Sequence, residues 1–183
     1  METMNLKVSQ ALDDFYRLNN FGEDGGVNKN IIWIKFGLFS IPIPNTESRK
    51  KAITLHDIGH LITENNTDWK GECAVSAWEI GSGGWRDLVF PWLLTLWAMG
   101  LGVVIYPRIV FDSFKKGLTM RNPLTCDITK DDLLKMSISE LRQKLSNHTS
   151  INKNPYFWMS LSFMVFAFPF IGIIGTIYLA FTF

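Results

Sequence analysis

Histidine and cysteine are scarce in this chain, and neither sign of charge prevails. Three histidines and two cysteines in 183 residues leave few donors for soft-metal or redox chemistry. Cys73 and Cys126 stand far apart and fit neither a disulfide framework nor a cysteine metal spacing, so they read as inert thiols. Lys plus Arg number 18 against 17 for Asp plus Glu, which removes the basic surplus that a nucleic-acid partner calls for. The first twenty residues lack the apolar core of a secretory leader, and Glu2, Asp13 and Asp14 are out of place in a transit peptide. Internal repeats and low-complexity tracts are missing as well.

Apolar and aromatic side chains are plentiful, with 14 Phe and 7 Trp against only 19% charged residues. The length suits one domain with a core of its own. The apolar excess is concentrated in two uncharged runs, 88–107 and 155–183, the second interrupted by Pro169, Gly172 and Gly175. The first has about the twenty residues that a helix needs to cross a bilayer, and the second, at 29, would make a helix longer than the hydrocarbon is thick.

The remaining sequence reads as helices with recognisable ends. Val8, Leu12, Phe15 and Tyr16 recur at helical spacing, and the stretch 19–30, with Gly22, Gly25 and Gly26, follows as a linker. Ile41-Pro42-Ile43-Pro44 closes an apolar stretch, 31–44, whose alternate prolines exclude a helix and predict an extended segment. Asn45 or Thr46 caps a helix running to about Thr63, whose apolar stripe is Ile53, Ile58, Leu61 and Ile62 and whose Gly59 admits a close neighbour. Thr67 or Asp68 caps the next, over 69–80, which Gly81-Ser82-Gly83-Gly84 stops. Thr129 with Asp132 and Ser137 with Glu140 form capping boxes, and Ile138, Leu141 and Leu145 give the last polar helix a buried face. The expected fold is all-α: a compact helical domain with a C-terminal transmembrane or re-entrant apolar segment. It divides into an N-terminal helix and linker (1–30), a metal-binding helical domain (31–150) and a membrane segment (155–183).

Two of the three histidines form His56-Asp57-Ile58-Gly59-His60. Residues four apart lie on one helix face, so the two imidazoles can address one point, with Asp57 three before His60 flanking them. Glu72 opens the following helix and brings a second carboxylate. Two imidazoles and two carboxylates would neutralise a divalent cation and leave coordination positions open, which suits a working metal better than a structural one. The candidate ligands are therefore His56, Asp57, His60 and Glu72, with a divalent metal, zinc first, as cofactor. Glu79, seven after Glu72 on the same face, is the substitute ligand. His148 reads as a solvated side chain in a polar loop. Counting excludes two metal chemistries: a membrane di-iron desaturase needs many more histidines, and a His-Asp phosphohydrolase needs one before His56. The zinc-protease pattern H-E-x-x-H is also disfavoured, because Asp57 is one methylene shorter than the Glu that serves there as general base.

His56, Asp57 and His60, then the eleven residues 61–71, then Glu72 resemble the signature H-D-x-x-H, eleven residues, E of the Coq-four family of ubiquinone (coenzyme Q) biosynthesis proteins. Gly71-Glu72-Cys73-Ala74 followed by Trp78-Glu79, Phe114-Lys115-Lys116-Gly117, and Ile138-Ser139-Glu140-Leu141-Arg142-Gln143-Lys144-Leu145 resemble further elements of that family, and the likeness covers residues 40 to 147. It implies a helical fold, a divalent metal on the four motif residues, attachment to a membrane, and self-association. It also implies work on a prenylated hydroxybenzoate precursor, with oxidative removal of the ring C1 carboxyl group and its replacement by hydroxyl, and an organising role among the other quinone-biosynthesis enzymes. The region before the motif is shorter than the family's, and the tail from Pro155 lies outside its pattern.

If both apolar runs spanned a bilayer, the His/Glu motif and residues 114–145 of the same domain would lie on opposite sides. Run 88–107 is therefore expected not to span, but to be buried or to dip into one leaflet. Run 155–183 is the membrane segment. Arg142, Lys144 and Lys153 precede it and no basic residue follows, which predicts a domain at the cytoplasmic face of the inner membrane. The apolar surfaces 36–43 and 88–105 are the expected seat of an isoprenoid tail. The expected activity is a metal-dependent decarboxylase of a prenylated aromatic acid, with no separate general acid or base assigned. The alternatives are a lipid-binding scaffold whose metal fastens two helices, and a membrane metalloprotease.

Overall fold

The computed structural model describes residues 5–36, 39–146 and 152–182. His148 and its polar loop lie outside them. In chain order the elements are α1 (Val8–Asn19), β1 (Ile31–Phe36), β2 (Phe39–Pro44), α2 (Glu47–Thr63), α3 (Trp69–Gly81), α4 (Val89–Ile105), α5 (Pro107–Leu118), α6 (Lys130–Lys135), α7 (Ile138–Ser146) and α8 (Pro155–Thr182). The fold is helical, as its residue pattern predicts.

Helix α3 is the centre of the molecule: ten of its residues are buried, from Gly71 to Gly81 with only Glu72 partly open. One side of it, through Trp78, joins a core of α1, α2, α6 and α7 side chains that includes Val8, Leu12, Ile58, Ile62, Leu133, Leu141 and Leu145. The other side, through Cys73, Ala77 and Ile80, joins Leu96, Met99, Val110 and Phe114 of α4 and α5. Both cysteines are free and buried, as expected of inert thiols. Burial pushes the Cys73 thiol up to about 12, so it stays protonated.

The helix ends are locally encoded. Thr46 caps α2 by accepting the Arg49 N–H at 3.2 Å, and Asp68 caps α3 by accepting the Gly71 N–H at 2.7 Å. Ser137 and Glu140 complete their reciprocal box at 2.8 and 3.2 Å. Gly81 does not stop α3 but ends it as a contact: a Cβ there would strike the Phe114 carbonyl, and one on Gly117 would strike the Trp78 carbonyl. The chain turns instead at Gly83 and Gly84, whose φ of 135° and 81° favour glycine.

The extended segment ending in Ile41-Pro42-Ile43-Pro44 is one strand of an antiparallel hairpin, with Ile31 opposite Pro44 and Trp33 opposite Pro42. A two-stranded sheet has only edges, so prolines that cannot donate are tolerated. Asn45 anchors the hairpin, its amide donating to the carbonyls of Gly26, Val27 and Lys29.

Run 88–107 becomes α4, packed on α3, α5 and α8 with Thr95, Leu96, Met99, Gly100 and Gly102 buried. Among the described residues, α8 is the one helix long and apolar enough to cross a membrane. Its first half lies against α4, where Trp158 stacks on Trp92 at 5.7 Å and Phe166 meets Trp97 at 5.4 Å. The crossing depends on Gly100, whose Cβ would collide with the Ser162 carbonyl and lie 2.6 Å from Phe166 Cβ. Gly100→Ala should cost about 1–3 kcal/mol in unfolding free energy, measured by denaturant titration in detergent, as overpacked sites do. Gly172→Ala, with nothing within 4 Å, should cost nothing measurable.

Candidate metal centre

Helix α2 presents His56 and His60 one turn apart, and α3 returns Glu72 against them. The reversal is tight: a Cβ on Gly71 would collide with the Asn66 carbonyl, so the residue before Glu72 has to be glycine for the linker to fold this close. Glu72 lies in the first turn of α3, where the helix dipole favours a carboxylate. The Nε2 atoms of His56 and His60 are 3.2 Å apart. One Glu72 oxygen lies 3.4 Å from His56 Nε2 and the other 3.5 Å from His60 Nε2.

The outer ring nitrogens fix what those inner nitrogens carry. His60 Nδ1 is 3.1 Å from the Asn65 carbonyl, which can only accept, so Nδ1 holds the proton. His56 Nδ1 is 2.8 Å from Glu79 Oε1, whose carboxylate likewise takes an N–H. In the neutral rings both Nε2 atoms therefore present lone pairs to one another and to a carboxylate. A proton on one Nε2 or a metal cation among the three groups relieves that conflict. Bonds of about 2.0–2.2 Å set in a tetrahedron have edges of about 3.3–3.6 Å, close to the three separations observed. The donors fit a divalent metal with an open position, and their outer partners are those of metal-bound imidazoles.

Behind the centre Glu79 is buried, at 2% exposure, with Thr95 Oγ1 at 3.5 Å from its second oxygen and the Trp85 indole N–H on Thr95 at 2.8 Å. Arg142 of α7 secures the last turn of α2 by donating to the Leu61 carbonyl and to Glu64, both at 2.9 Å. The partner of the helix end that carries His60 thus comes from the Leu-Arg element of the tail motif.

Of the predicted ligands, His56, His60 and Glu72 converge, with ligand atoms within 4.8 Å of one another. Asp57 sits beside them, not among them. It follows His56 directly, so it lies about 100° round the helix, and its carboxyl pairs with the Tyr16 hydroxyl of α1. Burial pushes Asp57 up to about 6 despite the nearby imidazoles. Burial, and then the Asp57 charge, drive the Tyr16 phenol above its ordinary range. Glu79 is not a substitute ligand but the orienter of His56. The roles of the Asn65 carbonyl, Thr95 and Trp85 have no signature in the sequence.

The charges follow from this packing. Burial opposes ionisation of Glu72, yet the two imidazoles hold it down to about 2. Burial also opposes charge on His56, but Glu79 and Glu72 outweigh it and raise His56 well above 6.5. No family model, curated protein or solved structure matches this chain.

Two outcomes are expected. Glu79→Gln leaves an acceptor for His56 but removes its charge, and should weaken zinc binding by about 10–100-fold in competition titrations. The raised His56 value stabilises the metal-free fold fully below pH 6.5 and ceases to do so as pH climbs through the folded value. The lowered Glu72 value contributes fully above pH 4.5 and is lost toward about 2. Protons therefore compete with the metal, and the zinc-induced rise in Tm should be larger at pH 8 than at pH 6 by scanning calorimetry.

Proposed function

We propose that this chain is a membrane-tethered metalloenzyme that removes the ring carboxyl group of a prenylated aromatic acid, a quinone precursor of the kind the Coq-four family handles. The observation that carries this reading is the convergence of two imidazole lone pairs and the Glu72 carboxylate on one point. The spacing H-D-x-x-H, eleven residues, E supports the family's chemistry, and α8 supports a substrate that partitions into lipid. The site belongs on the cytoplasmic face of an inner membrane, because Arg142, Lys144 and Lys153 precede α8.

A divalent ion, zinc first, held by His56, His60 and Glu72 supplies Lewis acidity toward the substrate's carboxylate or phenolate oxygen. The protein's own groups do the rest. Glu79 and the Asn65 carbonyl hold the Nδ1 protons and so aim each Nε2 inward, and the Glu79 charge makes the His56 nitrogen a stronger donor. Asp57, tied to Tyr16, fixes α1 against the metal helix. Trp69, at the start of the helix that carries Glu72, meets Trp97 at 6.2 Å, and Trp97 meets Phe166 of α8. This aromatic row gives an isoprenoid tail an apolar course between the bilayer and the site, alongside surface 88–105. The ring carboxyl group leaves as carbon dioxide, and the electron pair left on the ring carbon takes a proton or, where a two-electron oxygen-donating oxidant is co-substrate, the oxygen of a hydroxyl group.

A scaffold that binds the same lipid and gathers partner enzymes is the second reading, since the donors join α2 to α3 and a metal would clamp them. The protease reading loses support, because the residue at the general-base position, Asp57, is engaged with Tyr16. Glu72→Ala separates the first two readings. A catalyst keeps its fold by circular dichroism and accumulates the carboxylated precursor in lipid extracts. A metal-clamped scaffold loses thermal stability and its partners together. Normal quinone synthesis by a variant that binds no metal would overturn the enzymatic reading.

A further inference from the structure

Helix α8 is docked for half its length and bare for the rest. Trp158, Met159, Leu161, Ser162, Val165 and Phe166 face the protein, whereas every residue from 168 to 182 is exposed. At 1.5 Å per residue the bare part is roughly 22 Å long, and a bilayer's hydrocarbon is about 30 Å thick. For α8 to span, roughly five more residues must enter the apolar layer, which brings its boundary to the level of Ser162.

Helix α4 accompanies α8 at that level. Trp92 lies on Trp158, whereas Trp97 and Gly100, further along α4, lie on Ser162 and Phe166, so the helices run in the same direction. The end of α4 beyond Gly100 therefore points where α8 points. That end is apolar and open: Val104 is 55% and Ile105 53% exposed, and Pro107 beyond them is exposed too. Arg108, also exposed, is the first charge after the corner and can reach back to the phosphate level.

We infer that the α4–α5 corner, Val104 to Pro107, is inserted in the same leaflet that α8 enters, with Arg108 at the phosphate level, so that a bilayer holds the domain at two points. The occupant is lipid, because the exposed face continues the membrane helix in direction, depth and lack of charge. Two contacts fix the domain's rotation about α8, which one helix alone leaves free. The inference stands apart from the metal chemistry.

The test uses the full chain in liposomes of phosphatidylcholine with phosphatidylglycerol. An environment-sensitive NBD label is attached at Ile105→Cys, at Phe168→Cys on the bare part of α8, and at Asp131→Cys on exposed α6. Insertion predicts that the labels at 105 and 168 are shifted to the blue, quenched at least twofold by nitroxide-bearing lipids and shielded from iodide, while the label at 131 is open to iodide. The inference is overturned if the label at 105 is as open to iodide as the one at 131, whatever the label at 168 shows. Shielding at 105 without quenching by lipid nitroxide, the signature of a second protein copy on this face, overturns it equally.

Discussion

Two ring nitrogens 3.2 Å apart that both present lone pairs are the constraint on which the site depends. Each is committed by its opposite nitrogen, one to a backbone carbonyl and one to a buried carboxylate, so neither ring can relieve the conflict by changing tautomer. Positive charge between them can: a proton on His56, whose affinity for one is raised, or a metal ion that displaces it. The Glu72 carboxylate completes an arrangement that lowers the cost of a cation and raises the cost of lacking one. A shift of one residue in either helix would break it: moving His60 by one position turns its ring about 100° away.

That convergence draws in much of the fold. Glu79, at 2% exposure, has its two oxygens met by His56 and by Thr95, with the Trp85 indole behind Thr95. Those partners come from α2, α4 and the turn after α3, so α3 has to be surrounded. It is surrounded closely because glycine stands at the crossings: a Cβ on Gly102 would press on Cys73 and Val110, and Gly81 faces Gly117 across α5. Gly59, Gly102 and Gly117 stand where α2, α4 and α5 approach the helix that carries both glutamates.

What could be read directly from the residues was local. Thr46, Asp68 and Thr129 cap their helices as their side chains dictate, and His56 and His60 share a face because four residues make about one turn. Glu72 was legible through its spacing from the histidines. Asp57 was not, because adjacency in sequence is a rotation about the helix, and only the arrival of Tyr16 from α1 determines what it faces. The hairpin was half legible: the alternate prolines mark an extended segment but not the strand it pairs with. Asn65 contributes a carbonyl that every residue possesses, so no choice of side chain could announce it.

Helix α8 is where residue type alone says least. An uncharged helix has the same composition whether its neighbours are protein or lipid, and neither half of α8 carries a charge. They differ in pattern. The residues at 158, 161, 162, 165 and 166 repeat at helical spacing against α4, and Ser162 buries its hydroxyl there. Beyond Phe166 no such stripe continues, and Pro169 sits inside the helix, where its ring deprives one carbonyl of a partner. A lone helix in water would fray at that point. In hydrocarbon the neighbouring backbone bonds have no competing water, and α8 is long and apolar enough to cross such a layer. Its docked half joins it to α4, and through α4 to the helix that carries Glu72.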